Sequence, residues 1–403
     1  MKTTGSLRSM NNFCVLPFNS ISISTTGNLR QCCNGGDHPY NLFVQKLTVD
    51  QILNNSKSQA IRSSFLKDEK DPACSRCWGI EEIGNRSFRH VANDDLDHGF
   101  HSNTPINMNS TINFEDLQYI DITLGNKCNL ACRMCNPTSS SLLAKQLKEF
   151  NMYRGDEFID FSRESKDKIL DLIFKSKNLN SIYMLGGEPL INEFHDEIVE
   201  LLVQQDRAKN IKIHYSTNLQ IDIEKYLPLW SQFKFIDLNA SIDGTHETYE
   251  YIRWPGKWEK VFKNLKKTAE FKKEGHFLPT IATTVQNLNA ANLYNLITEC
   301  GTLNNITFFF IPVTGGNYLE LTPKHILKEE IKKLETVPDP YNIVKGLIQQ
   351  YHAAYNKCEF ITKVQVDTFF SNQKRFDQYR NQNLFDTHPY FIELAEKFNV
   401  EPW

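Results

Sequence analysis

Three cysteines stand close together in the segment LGNKCNLACRMCNP: Cys128, Cys132 and Cys135, in a C-x-x-x-C-x-x-C run. Thiolates at that spacing ligate metal. Four of them would close a cubane iron-sulfur cluster, whereas three leave one iron with an open position where a substrate or cofactor can bind directly. No adjacent His or fourth Cys completes the set as a closed structural zinc site requires. The run therefore points to chemistry at an open iron, with structural zinc or ordinary buried cysteines as the alternatives. A second group precedes it: Cys14, the Cys32-Cys33 pair, and Cys74 and Cys77 in A-C-S-R-C-W. Four of these would saturate a second cluster, or equally a zinc ribbon built from a hairpin and a C-x-x-C step. Because only four are needed, Cys32 or Cys33 is spare, and the spacing from Gly27 favours Cys32 as the ligand. Cys300 and Cys358 are expected to be small buried apolar residues.

The elements that must position these residues follow from periodicity. Ile21 and Ile23 alternate with serines before Gly27-Asn28, and the chain returns through Leu29 to Cys32, which is a hairpin pattern. Residues 50–67 carry Ile52, Leu53, Ile61, Phe65 and Leu66 at helical spacing, and Cys74 and Cys77 follow directly. The polar stretch from about 91 to 116 reads as a linker. After it, apolar runs at 117–124, 181–185, 211–216, 233–242, 278–285 and 306–313 alternate with helical patterns such as 194–205 and 258–273. That order predicts parallel strands with right-handed crossovers. The expected fold class is α/β: a partial (β/α)6 TIM-like barrel with a small N-terminal hairpin-plus-helix cluster domain and a helical C-terminal extension. The expected boundaries are 1–95, a linker at 96–116, the barrel at 117–322 and the extension at 323–403, ending in an irregular aromatic-rich tail. The cysteine run then lies just after the first barrel strand, at the end where α/β barrels gather functional groups.

Composition sets the class. The chain has 403 residues, 40% hydrophobic and 23% charged, with a formal net charge of -3. It is long enough for a full enzyme core, and the near balance of charges makes nucleic acid an unlikely partner. No apolar run resembles a signal peptide or a membrane span, and cysteines grouped for ligation suit a cytoplasmic setting.

The C-x-x-x-C-x-x-C run resembles the signature of the radical S-adenosylmethionine superfamily, and further motifs follow in that family's order. Gly186-Gly187-Glu188-Pro189, after the strand SIYML, is similar to the family's glycine-rich turn that contacts the methionine amino group, with Glu188 as an acceptor. Ser216, Thr217 and Asn218 end the third strand and Ser241 and Asp243 the fourth, where the family contacts ribose and carboxylate. Arg253, in ASIDGTHETYEYIRWPG, resembles a recurrent arginine of peptide-modifying members. Asn287 and Asn289 fit the adenosine-side loop. The N-terminal cysteines resemble an auxiliary-cluster unit of the twitch or SPASM type placed ahead of the barrel.

The resemblance implies two [4Fe-4S] clusters, one with an open iron that binds S-adenosylmethionine, and a reductant such as flavodoxin or ferredoxin. It implies reductive cleavage of S-adenosylmethionine and hydrogen abstraction from a peptide or protein side chain or a small molecule, giving an oxidation or a crosslink. Nothing before Phe13 is long enough for a leader-binding module, which lowers the ribosomal-peptide reading. If the C-terminal helices bind a peptide, truncation near Pro323 is expected to abolish substrate binding while sparing adenosine formation. The rival readings are a zinc-binding interaction protein and an electron-relay protein that cleaves no S-adenosylmethionine.

Overall fold

The computed structural model describes residues 10–36, 42–82, 84–98, 109–271, 277–313, 316–339 and 342–403. Its strands are β1 (Ser20–Ile23), β2 (Leu29–Arg30), β3 (Tyr119–Thr123), β4 (Ser181–Leu185), β5 (Lys212–Thr217), β6 (Phe235–Ser241), β7 (Phe277–Val285) and β8 (Thr307–Pro312). They form an open eight-stranded sheet in the order β2-β1-β3-β4-β5-β6-β7-β8. The six expected barrel strands are β3 to β8, and the fold is the α/β, partial-barrel class expected. The chain divides into two compact units, one of residues 1–127, 158–214 and 232–235, the other of 128–157, 215–231 and 236–403.

In the first unit the expected hairpin forms, turning at Gly27 with φ +79°, a left-handed conformation that favours glycine. It does more than hold cysteines. Strand β1 runs parallel to β3, and β3 to β4, so that Ser22, Asp121 and Tyr183 lie opposite one another in a row. Alternation then places Ile21, Ile23, Ile120, Ile122, Ile182 and Met184 on the opposite, buried apolar face. The hairpin thereby adds two strands to the sheet. Beneath it, the helices Val49–Asn54 and Ser56–Leu66 start at the side-chain caps of Thr48 and Asn55. Ile61 and Phe65 join Phe13, Phe18 and Trp78 in a core that includes Cys14 and Cys32. The Phe88–His98 helix runs into the stretch expected as a linker, and residues 99–108 of that linker lie outside the described residues.

In the second unit β6, β7 and β8 are parallel, with the helices His246–Ile252, Trp258–Glu270 and Leu293–Cys300 between and around them. Lys324–Leu334 and Ile343–Lys357 are helical as expected. The tail corrects the expectation of irregular structure: Lys363–Arg380 is an 18-residue helix with a Thr362/Gln365 capping box. Its Phe369 and Phe370 pack with Tyr251, Phe385 and Phe391 in one aromatic core. Among the described residues no helix is long and apolar enough to cross a membrane.

Candidate active site

The three-cysteine loop lies in the second unit and is held as backbone. The Ala131 N–H donates to the Trp254 carbonyl at 2.7 Å and the Arg133 N–H to the Ile252 carbonyl at 2.9 Å, so the loop is stitched to the end of the His246–Ile252 helix. Ser141 accepts from the Cys128 N–H at 3.2 Å. Asn218, where β5 ends, donates from Nδ2 to Asn129 at 2.8 Å and lies 4.0 Å from the Cys128 sulfur. These two contacts place a strand-end residue beside the first thiol of the run.

Arg253 is no solvated charge. It is 7% exposed, forms an ion pair with the fully buried Asp243 at 2.7 Å, and points Nη1 at the Cys132 sulfur from 3.8 Å. Burial works against its charge, yet Asp243 and Cys132 hold the guanidinium above its ordinary pKa. Burial raises the Cys132 thiol while Arg253 pulls it down, and burial with the neighbouring Cys132 pushes Cys135 up to about 12. A thiol kept protonated by burial, yet faced by a cation, is set to release its proton when a metal takes the sulfur.

Several residues act on the loop from behind without any sequence signature. Arg133, inside the cysteine run, is fully buried: Nη2 meets Asp377 at 2.6 Å, Nη1 meets Gln373 at 2.7 Å, and Nε donates to the Tyr251 carbonyl at 2.9 Å. Arg380 donates from Nη2 to the Ala131 carbonyl and to Gln146, each at 2.7 Å. Gln373, Asp377 and Arg380 all belong to the Lys363–Arg380 helix. Truncation at Pro323 would strip these supports from the cysteine loop, so the expectation that it spares adenosine formation is withdrawn. An Arg between two cysteines and polar residues in a helical register were the only available signals.

The other predicted contacts divide. Asp243 also accepts from the Thr284 N–H at 2.7 Å, and Asn289 donates to the Asp243 carbonyl at 3.0 Å, so Asn289 braces that loop. Asn287 is wholly buried, and among the described residues neither of its side-chain polar atoms has a hydrogen-bond partner. Ser216 and Ser241 are half-buried at strand ends, while Thr217 is buried and accepts from the Leu219 N–H at 3.1 Å.

In the first unit the Gly186-Gly187-Glu188 turn follows β4 and closes on the chain just before Cys128. The Glu188 N–H donates to the Lys127 carbonyl at 2.8 Å, and a Cβ on Gly187 would lie 2.2 Å from that oxygen. Only glycine permits this approach. The Glu188 carboxylate is buried and accepts from the Leu190 N–H at 3.1 Å, capping its own turn.

The N-terminal cysteines also gather in the first unit. Cys14, Cys32, Cys74 and Cys77 line one pocket with Leu16, Phe88 and Arg89. Burial, and then the neighbouring thiols, raises Cys14 well above the usual range, and burial followed by Cys74 pushes Cys32 up to about 12. Cys33 turns elsewhere, towards Asp121 on β3, whose carboxyl burial pushes up to about 7. Among the described residues no group of three or more His, Cys, Asp or Glu is drawn together as for a single metal ion. Four thiols lining one pocket are donors of the type that thiolate-ligated centres use.

Residues 122–292 match the model of the Radical SAM superfamily, a family whose members hold a [4Fe-4S] cluster and S-adenosylmethionine. The human molybdenum cofactor biosynthesis protein 1 is 25% identical over 153 residues, 38% of this chain and 22% of that protein. The mitochondrial GTP 3',8-cyclase of Arabidopsis thaliana is 28% identical over 127 residues, 31% of this chain and 28% of that protein. The chain thus spans under a third of these curated relatives. The solved structure of native anSMEcpe with bound AdoMet aligns with a TM-score of 0.39 at 19% identity, covering 54% of this chain and 59% of that one.

Proposed function

We propose, from the match of residues 122–292 to the Radical SAM superfamily, that the chain cleaves S-adenosylmethionine reductively and removes hydrogen from an unactivated C–H bond. The substrate would be a peptide or protein side chain or a small molecule, and the outcome an oxidation or a crosslink. The observation that carries this reading is the ligand set: Cys128, Cys132 and Cys135, with Arg253 and Asn218 aimed at two of the sulfurs. Cys128, Cys132 and Cys135 would hold a [4Fe-4S] cluster, which when bound supplies the electron for cleavage through its open iron. The chain's own part is positioning. Asn218 and Arg253 orient the thiols, the Gly187 turn fixes the backbone leading into Cys128, and the buried Asp243 keeps Arg253 in place.

Cys14, Cys32, Cys74 and Cys77 would hold a second, fully ligated cluster suited to accepting the electron left on an oxidised substrate. Cys33 is left outside that set by its turn towards Asp121. Ten free cysteines fit a reducing, cytoplasmic setting, with a small electron carrier such as flavodoxin or ferredoxin as reductant. A second reading, a nucleotide cyclisation like that named for the Arabidopsis relative, is favoured by the sequence match alone.

The test is production of 5'-deoxyadenosine by anaerobically reconstituted protein with S-adenosylmethionine and dithionite, beside a triple Cys128, Cys132 and Cys135→Ala variant. Product in the wild type and none in the variant is expected. A colourless wild-type protein that holds zinc and makes no product would replace this reading with the interaction protein. Adding GTP separates the second reading, which requires GTP to be consumed in step with the deoxyadenosine formed.

A further inference from the structure

Three guanidinium groups converge behind the cysteine loop, and two carboxylates answer them. Arg133 is matched by Asp377 and Arg253 by Asp243, each pair buried. Arg380 is the third. It is 6% exposed, and its Nη2 is satisfied by the Ala131 carbonyl and Gln146. Among the described residues its Nε and Nη1 have no hydrogen-bond partner. The group lies over the rings of Phe376 at 4.3 Å and Trp254 at 5.1 Å, contacts that favour a cation without supplying a counter-charge. A buried charge left uncompensated is costly and is retained where something else neutralises it.

The Arg380 contact identifies where the counter-charge belongs. Ala131 immediately precedes Cys132, and Arg253 approaches the Cys132 sulfur from its own side. Burial and Arg133 push Arg380 down to about 9, while Cys132 first, then Tyr251 and the Asp377 carboxylate already paired with Arg133, work in the opposite direction. Thiolates bound to iron bring net negative charge to this spot, and cluster potentials respond to net charge and to hydrogen bonds near the sulfurs.

We infer that Arg380, reaching in from the C-terminal Lys363–Arg380 helix, is a positioning residue for the iron-sulfur centre: it fixes the Ala131–Cys132 backbone and provides the surplus positive charge that raises the cluster's reduction potential. This rests on the proposed cluster at Cys128, Cys132 and Cys135. It couples the C-terminal extension to the redox step, so the helix serves the cofactor as well as the core.

The experiment is an anaerobic redox titration of the reconstituted full chain, following by electron paramagnetic resonance the signal that responds to S-adenosylmethionine. Arg380→Gln keeps a donor for the Ala131 carbonyl and removes the charge, and Arg380→Lys keeps the charge. With Arg380→Gln, the cluster is expected at wild-type iron content but about tenfold less reduced at the wild-type midpoint, a downward shift of about 59 mV for one electron. Arg380→Lys is expected to titrate near wild type. An unshifted Arg380→Gln overturns the inference, as does an Arg380→Lys variant that shifts equally or loses its iron. If Arg380→Gln fails to fold, Arg380→Met serves as the charge-removing variant, with the same downward shift expected and an unshifted midpoint overturning the inference. A wild-type protein with no such signal defeats the functional reading instead.

Discussion

Cys132 faces a guanidinium, whereas Cys14 and Cys32 chiefly face other thiols, and Cys74 feels Asp71 first and then Cys77 and Arg89. The guanidinium nearest the N-terminal pocket, Arg89, is committed to both oxygens of Glu81 and to the Phe13 carbonyl. The second unit thus surrounds three thiols with donors and positive charge. The first unit sets four thiols around one pocket, where Arg89 is already paired with Glu81 and Asp71 adds negative charge beside Cys74. Three ligands in a cationic cradle suit a centre that must bind a further molecule and be reduced, while four ligands in an apolar pocket suit a closed centre.

The largest effect that could break this contrast comes from deleting each set in turn. Replacing Cys128, Cys132 and Cys135 by Ala should abolish 5'-deoxyadenosine formation and remove about half the iron, because a cubane holds four irons at each site. Replacing Cys14, Cys32, Cys74 and Cys77 should also remove about half the iron yet leave adenosine formation measurable. Equal loss of adenosine from both would erase the distinction.

Within the N-terminal set, Cys32→Ala should lose the second centre's iron and Cys33→Ala should retain it, since Cys33 is directed at Asp121. Iron and sulfide analysis of the two single variants sharpens the ligand assignment, and the reverse result would transfer it to Cys33.

A smaller effect is expected at the turn. A Gly187→Ala methyl would sit 2.2 Å from the Lys127 carbonyl oxygen, and relieving that clash should cost about 1–3 kcal/mol. Weaker S-adenosylmethionine binding with iron content unchanged is the expected signature by equilibrium dialysis.

The smallest effect concerns the C-terminal core that carries Arg380. His388 is buried and held neutral, with its Nε2 donating to the Leu288 carbonyl at 2.6 Å, and burial pushes its pKa down to about 3. The unfolded chain therefore binds the proton more readily than the folded one below the ordinary histidine value. Stability should fall as pH drops from about 6.5 towards 3, by at most about 1.4 kcal/mol per pH unit. Urea melts of wild type and His388→Gln at pH 7 and pH 5 check this, and the variant should show the weaker pH dependence.

Much of this arrangement was legible in the chain. The alternation of apolar strands and amphipathic helices located β3 to β8 to within a residue or two, because each strand's burial is written into its own local pattern. The cysteine spacings named both candidate centres. What escaped was non-local. The pairing of β1 with β3 joins segments almost a hundred residues apart, and nothing in Ser20 to Ile23 specifies that partner. The Lys363–Arg380 helix escaped for another reason: its buried face runs through Val366, Phe369, Phe370, Gln373, Phe376, Asp377 and Arg380 at helical spacing, but its second half is polar. A hydropathy pattern reports such a face as exposed; in the fold Gln373 and Asp377 point inward to the buried Arg133, and Arg380 to the Ala131 carbonyl and Gln146.

The most direct test is the electron paramagnetic resonance spectrum of the reduced, reconstituted protein before and after S-adenosylmethionine is added. One of two cluster signals should change on addition, and that response should vanish in the triple Cys128, Cys132 and Cys135→Ala variant while the other signal persists. A spectrum that ignores S-adenosylmethionine, or a response that survives in the triple variant, would contradict the assignment of the open iron to this loop.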